Sequence, residues 1–167
     1  QILRYSNYTA PAEGDYYAEF QTVYDAFAAK PHADTAAFME TLVYSLDTLD
    51  FEGGESVWDR MDLFYVFAGR DGADALINWV NPGTYDAANI SETSFTAYEG
   101  FAGDGSSDYI NTSFSLTDAT YSSKNSISVG VYLVNNIQDG GYVYGTNISA
   151  TSNAIYFRPK VADIIQY

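Results

Sequence analysis

A chain of 167 residues carries 22 acidic against 7 basic side chains, a formal charge of −15, and no cysteine. A surface of that sign repels phosphate, which argues against nucleic acid and against an anionic membrane as partners, and the lack of thiols excludes a disulfide framework and thiolate chemistry. Hydrophobic residues at 47%, with 16 Tyr, 10 Phe and 2 Trp, suffice to fill one core of ordinary size.

The first 69 residues read as helical. Tyr16, Phe20, Val23, Tyr24 and Phe27 recur at spacings of three and four, which puts one apolar face on a helix that Pro31 ends. Asp34 or Thr35 is expected to cap a second helix, with Phe38, Leu42, Leu46 and Leu49 on its buried side and Gly53-Gly54 as its break. Ser56-Val57-Trp58-Asp59 fits a capping box, and Trp58, Met61 and Tyr65 continue a helical stripe. The apolar run Leu63 to Phe67 suits either the end of that helix or a short buried strand.

From residue 70 to 167 short apolar runs alternate with clusters of Gly, Asn, Asp and Ser. Candidate strands are Leu76 to Val80, Ser94 to Tyr98, Tyr109 to Phe114, Ser126 to Val134, Tyr142 to Ser149 and Ile155 to Arg158. The fourth alternates with a two-residue period, and Asp139-Gly140-Gly141 signals a hairpin after it. The expected fold class is therefore α+β: a helical segment over 1–69, then an antiparallel β-sandwich of jelly-roll type over 70–167.

Catalytic chemistry finds little support in the residue pattern. His32 is the single His and follows Pro31 in a connector, which suits a solvated loop better than a triad. No alternating carboxylate pair marks a strand, so a glycosidase pair is not visible. Most acids of the second half sit beside Gly or Ser, where Asp commonly accepts backbone hydrogen bonds. The segment Asp104-Gly105-Ser106-Ser107-Asp108 offers oxygen ligands, but too few for a calcium loop, and a turn with glycines at positive φ is the favoured reading. No catalytic residue, cofactor or metal is expected. Tyr109, Tyr121, Tyr132, Tyr142 and Tyr144 are the candidate surface or ligand contacts, because Tyr rings stack on sugars and recur at binding surfaces. For any one of them, cross-strand packing is the plainer role. Asn7, Asn89, Asn111 and Asn147 head Asn-x-Ser/Thr triplets, which chance alone supplies in a chain this rich in those residues.

Three blocks carry a resemblance. Val57 through Ala68 (VWDRMDLFYVFA), Ala75 through Trp79 followed by Asn81-Pro82, and Phe95 through Phe114 (FTAYEGFAGDGSSDYINTSF) resemble segments of tail- and head-fibre-type virion proteins of bacteriophages, in the same order. The resemblance spans roughly residues 15 to 135. It implies a concanavalin-like sandwich, a virion or extracellular location, partners among other virion subunits including its own copies, and contact with host glycans, without enzymatic activity or membrane insertion. A stand-alone carbohydrate-binding module and a phage-type polysaccharide depolymerase are the rival readings. The six candidate strands fall short of a full jelly roll. The expectation is a sheet completed by a neighbouring subunit, a reduced domain, or strands beyond these residues; Gln1 in place of Met likewise suggests removed or unseen sequence.

Overall fold

The computed structural model describes residues 15–50, 53–104, 106–123, 125–133, 144–147 and 154–157. It combines helices with short antiparallel strands, a mixed α+β arrangement. Helix α1 spans Ala18–Ala26 and α2 spans Ala33–Thr48. Each of the five spaced residues Tyr16, Phe20, Val23, Tyr24 and Phe27 is buried, as their period predicts. The carbonyls at the end of α1 are capped by Lys30, whose Nζ donates to the Tyr24 and Asp25 oxygens at 2.5 and 3.1 Å.

Helix α2 departs from expectation in two ways. Its cap is His32, whose Nδ1 accepts from the Asp34 amide, rather than Asp34 or Thr35. Its buried residues are Ala36, Glu40 and Val43, and Leu46 packs on the core as expected, while Phe38 is 78% exposed and Leu42 and Leu49 also face solvent. The inward polar positions have local reasons. Glu40 accepts the Tyr17 amide at 2.6 Å, and Asp47 accepts the hydroxyls of Tyr17 and Ser56. Those bonds tie α2 to the start of α1 and to the Ser56 turn.

Burial pushes the Glu40 carboxyl above its usual 4.5, against the opposing pull of the Tyr17 N–H. A carboxyl raised on folding gives stability that is present below about 4.5 and lost as pH rises through the folded-state value. Glu40→Gln keeps an acceptor for Tyr17 and removes this pH dependence. Its urea midpoint, relative to wild type, is expected to be higher at pH 7 than at pH 4. Parallel midpoints at the two pH values would contradict the buried carboxyl.

The expected third helix shrinks to a 3₁₀ turn at Trp58–Arg60. The capping box forms as read: the Asp59 amide donates to Ser56 Oγ and the Ser56 amide to Asp59 Oδ2, both at 3.0 Å. The helix stops because the next backbone groups bond sideways. Phe64 N–H donates to Asn78 Oδ1 at 3.1 Å, and its carbonyl accepts the Trp79 amide at 2.8 Å. Leu63 to Phe67 is accordingly neither helix nor ladder strand. The predicted strand Leu76 to Val80 is replaced by a second 3₁₀ turn, Asp74–Leu76, followed by irregular chain. There Ala75 and Leu76 bond back to Asp71 and Ala73.

Strands β1 (Ala88–Ile90), β2 (Ser94–Thr96), β3 (Gly100–Ala102), β4 (Tyr109–Asn111), β5 (Tyr144–Asn147) and β6 (Ala154–Phe157) follow. They form three antiparallel pairs among the described residues: β1 with β4, β2 with β3, β5 with β6. The two-residue period over Ser126 to Val134 yields no strand over 126–133. Only a bridge from Ser126 to Ser123 forms, and Val129, Val131 and Tyr132 stay exposed. Alternation sets which way side chains point, but a ladder also needs a neighbour. The hairpin expected at Asp139-Gly140-Gly141 lies outside the described residues.

One hydrophobic core takes side chains from both sides of residue 70. Trp79, 2% exposed, meets the rings of Phe20, Phe27 and Phe64 at centroid distances of 6.2, 6.0 and 5.9 Å. Asp74, also buried, accepts the amides of Ala28 and Ala29 at 2.8 Å, so the chain leaving α1 is pinned to the 3₁₀ turn carrying Asp74.

Candidate functional site

An open groove of about 410 Å³ lies beside this core. Its floor and walls include Trp58, Asp59 and Asp62 from the capping-box turn and Asn78, Asn81, Thr84 and Tyr85 from the loop after Trp79. Phe114, Asp118, Thr120 and Tyr121 close it from the later chain.

Two hydrogen-bond hubs build it. Asn78, 1% exposed, accepts Phe64 and Val80 amides at Oδ1 and donates Nδ2–H to the Thr84 carbonyl at 3.0 Å. Asp86 closes the same loop, accepting the Asn78 amide at 2.8 Å and the Gly83 amide at 3.1 Å. Tyr85 sits at φ 56°, a left-handed conformation that a bulky residue holds only under constraint. The constraint comes from the Tyr65 hydroxyl, which donates to the Tyr85 carbonyl, and from Phe114, packed edge-on at 5.3 Å.

Asp62 is the second hub. Its carboxylate accepts the amides of Thr120, Tyr121 and Ser122 at 2.6 to 3.3 Å, across some sixty residues of chain. Burial raises its carboxyl, but the Ser122 hydroxyl and these three amides outweigh that and hold it below the usual carboxylate range. Asp59 is also held low, by the amide and then the hydroxyl of Ser56. Burial, followed by the charge and hydrogen bond of Asp118, pushes the Tyr85 hydroxyl up. At the rim, the Arg60 guanidinium lies 5.6 Å from the Tyr121 ring centre, a cation–π geometry.

The predicted contact tyrosines are dispersed. Tyr121 lines the groove. Tyr109, on β4, is 55% exposed, and Tyr132 is 91% exposed on the irregular 126–133 segment. Tyr144 belongs to β5, opposite Phe157, and Tyr142 lies outside the described residues. The other groove residues were not singled out from sequence. Asp59 and Asp62 stand within the VWDRMD block, where a continuous helix would have pointed them elsewhere.

The loop after β3 is built from its own side chains. Asp104 accepts the amides of Ser106, Ser107 and Asp108 at 2.8 to 3.2 Å, and these bonds hold its carboxyl far below the usual range. Asp108 in turn accepts the Asp104 amide at 3.1 Å. The left-handed glycine of this region is Gly100, not Gly103, and Gly105 lies outside the described residues. A Cβ on Gly100 would also stand 3.4 Å from the Phe67 carbonyl oxygen. Phe101 packs between Phe95 at 4.9 Å and Phe67 at 6.0 Å, whereas Tyr109 is exposed. Among the described residues no group of three acidic, His or Cys side chains is arranged to hold a metal ion. Asn89 uses its side chain to bond both the amide and the carbonyl of Thr93.

Comparison with protein-family models, with curated proteins and with solved structures gave no match to this chain.

Proposed function

We propose that the chain is a non-enzymatic assembly and adhesion subunit of an extracellular particle, of the virion fibre or decoration type, that associates with its own copies and binds glycan in the groove. The groove carries the reading. Tyr121 and Tyr85 offer rings to the C–H side of a sugar, while Asp59, Asp118, Asn81 and Thr84 offer partners to its hydroxyls. Three carboxylates line it, so an uncharged saccharide suits it better than a uronate or sialylated one. The virion setting and the concanavalin-like sandwich rest on the three sequence blocks. The three strand pairs would become part of a larger sheet only with further strands, from this chain or from a neighbouring copy.

The same carboxylates give a depolymerase its one point of support. A hydrolase needs one carboxyl kept protonated near neutrality. Asp59 and Asp62 are instead both held low and occupied by backbone amides. Titration of neutral and anionic oligosaccharides into the purified chain decides the matter. The expected result is binding of neutral glycans only, weakened about tenfold, or ~1.4 kcal/mol, by Tyr121→Ala. Undiminished binding by the variant, or preference for anionic glycans, would overturn the groove assignment, and release of reducing ends would establish the depolymerase.

A further inference from the structure

Helix α2 packs Ala36, Met39, Val43 and Leu46 against the core, and it also carries apolar side chains on its outer face. Its acids Glu40 and Asp47 bond inward, to Tyr17 and Ser56. Phe38, Leu42 and, just past its end, Leu49 face solvent at 78%, 39% and 54% exposure. With Ser45 between them the spacing is four, three, four, the seam that one helix presents to another. Thr41 and Thr48 flank it, and no charged side chain interrupts this face between Asp34 and Asp50. On a chain of charge −15, about three turns of uncharged surface carrying three exposed apolar side chains are an exception that solubility does not explain.

We propose that this stripe is where the chain associates with a second copy of itself, α2 crossing α2 antiparallel about a two-fold axis. The inference rests on the assembly reading above and names its surface. Two copies at −15 repel, and a charge-free face lets them approach closely. The antiparallel crossing makes the stripe its own complement: Phe38 of one copy meets Leu49 of the other, and Leu42 meets the small Ser45. A parallel crossing would instead stack Asp34 on Asp34 and Asp50 on Asp50. The 16-residue helix is about 24 Å long, too short to bury the ~800 Å² per partner of a tight dimer by itself. The isolated chain should therefore dimerise weakly, in the micromolar range or above.

Sedimentation of the full chain from 5 to 500 μM at low salt and at 0.5 M NaCl tests this. The expected result is a monomer–dimer equilibrium that tightens with salt, since screening removes repulsion and leaves apolar contact. Phe38→Glu and Leu42→Glu should each weaken it at least tenfold, whereas Tyr132→Glu, at another exposed apolar position, should leave it unchanged. All three side chains are exposed, and circular dichroism checks that the variants fold. Self-association insensitive to Phe38→Glu and Leu42→Glu overturns the α2 surface and leaves the assembly reading standing. A monomer at every concentration and salt overturns both. A Phe38→Cys variant, whose thiol is unique in this sequence, adds a second readout: shielding from alkylation that grows with protein concentration supports the dimer. Shielding independent of concentration assigns the stripe to cover from within the chain and overturns it.

Discussion

Replacing Trp79 by alanine is expected to cost about 3–5 kcal/mol, enough to leave little of the ~5–15 kcal/mol that holds a typical domain together. The indole is 2% exposed and touches rings from α1, from the segment after it and from the chain following the capping box. Its loss opens a cavity where three parts of the molecule converge. The surrounding rings are held by their own helices and turns, so the site has little freedom to collapse. Trp79→Phe separates packing from polarity. The indole N–H has no hydrogen-bond partner among the described residues, so phenylalanine removes an unsatisfied donor while retaining a ring. The Phe variant should lose less than half of what the Ala variant loses in urea unfolding. A loss below 1 kcal/mol for Trp79→Ala would show that the core does not depend on this ring.

The part of this fold that was legible in the sequence is the part made by local spacing. The α1 stripe and the Ser56–Asp59 capping box depend on residues a few positions apart, and both form as read, whereas α2 ends at Thr48, ahead of the expected break at Gly53-Gly54. Helix α2 was placed correctly, but of its expected inward residues only Leu46 packs on the core, while Phe38, Leu42 and Leu49 face solvent. The inward face is made by Ala36, Met39, Val43 and Leu46, and it admits Glu40 and Asp47 because these find donors on Tyr17 and Ser56, which periodicity cannot see. The third helix and the Leu76 strand were lost to long-range bonds. Once Asn78 claims the Phe64 amide and Trp79 bonds the Phe64 carbonyl, neither segment can complete its own ladder. The groove was hidden for the same reason. Among the described residues, Tyr121 is the one of the chosen tyrosines that lines it. The carboxylate that shapes its wall, Asp62, reaches across to 120–122, a pairing with no local signature.

Asn78→Ala is expected to cost about 2–4 kcal/mol and to abolish glycan binding at temperatures where the chain remains folded. Three backbone groups, the Phe64 and Val80 amides and the Thr84 carbonyl, lose their partner at a site 1% exposed, where water does not easily replace it. The loop carrying Tyr85 is then held only from the Asp86 side, and the left-handed Tyr85 loses part of what constrains it. Asn78→Asp distinguishes the two halves of the hub. A carboxyl there still accepts from Phe64 and Val80, but when ionised it has no hydrogen to give Thr84 and carries a buried charge against that carbonyl. Both effects raise its folded-state pKa above the ~3.9 of an unfolded aspartate. The sign follows: its stability is fully present below about 3.9, where the protonated acid donates to Thr84, and is lost as pH rises through the folded value. Relative to wild type, the Asp variant should lie close at pH 4 and fall toward the Ala variant by pH 7 in urea unfolding. A constant difference across that range would mean that water reaches Thr84, and that the groove wall stands on Asp86 and Asp62 instead of on Asn78.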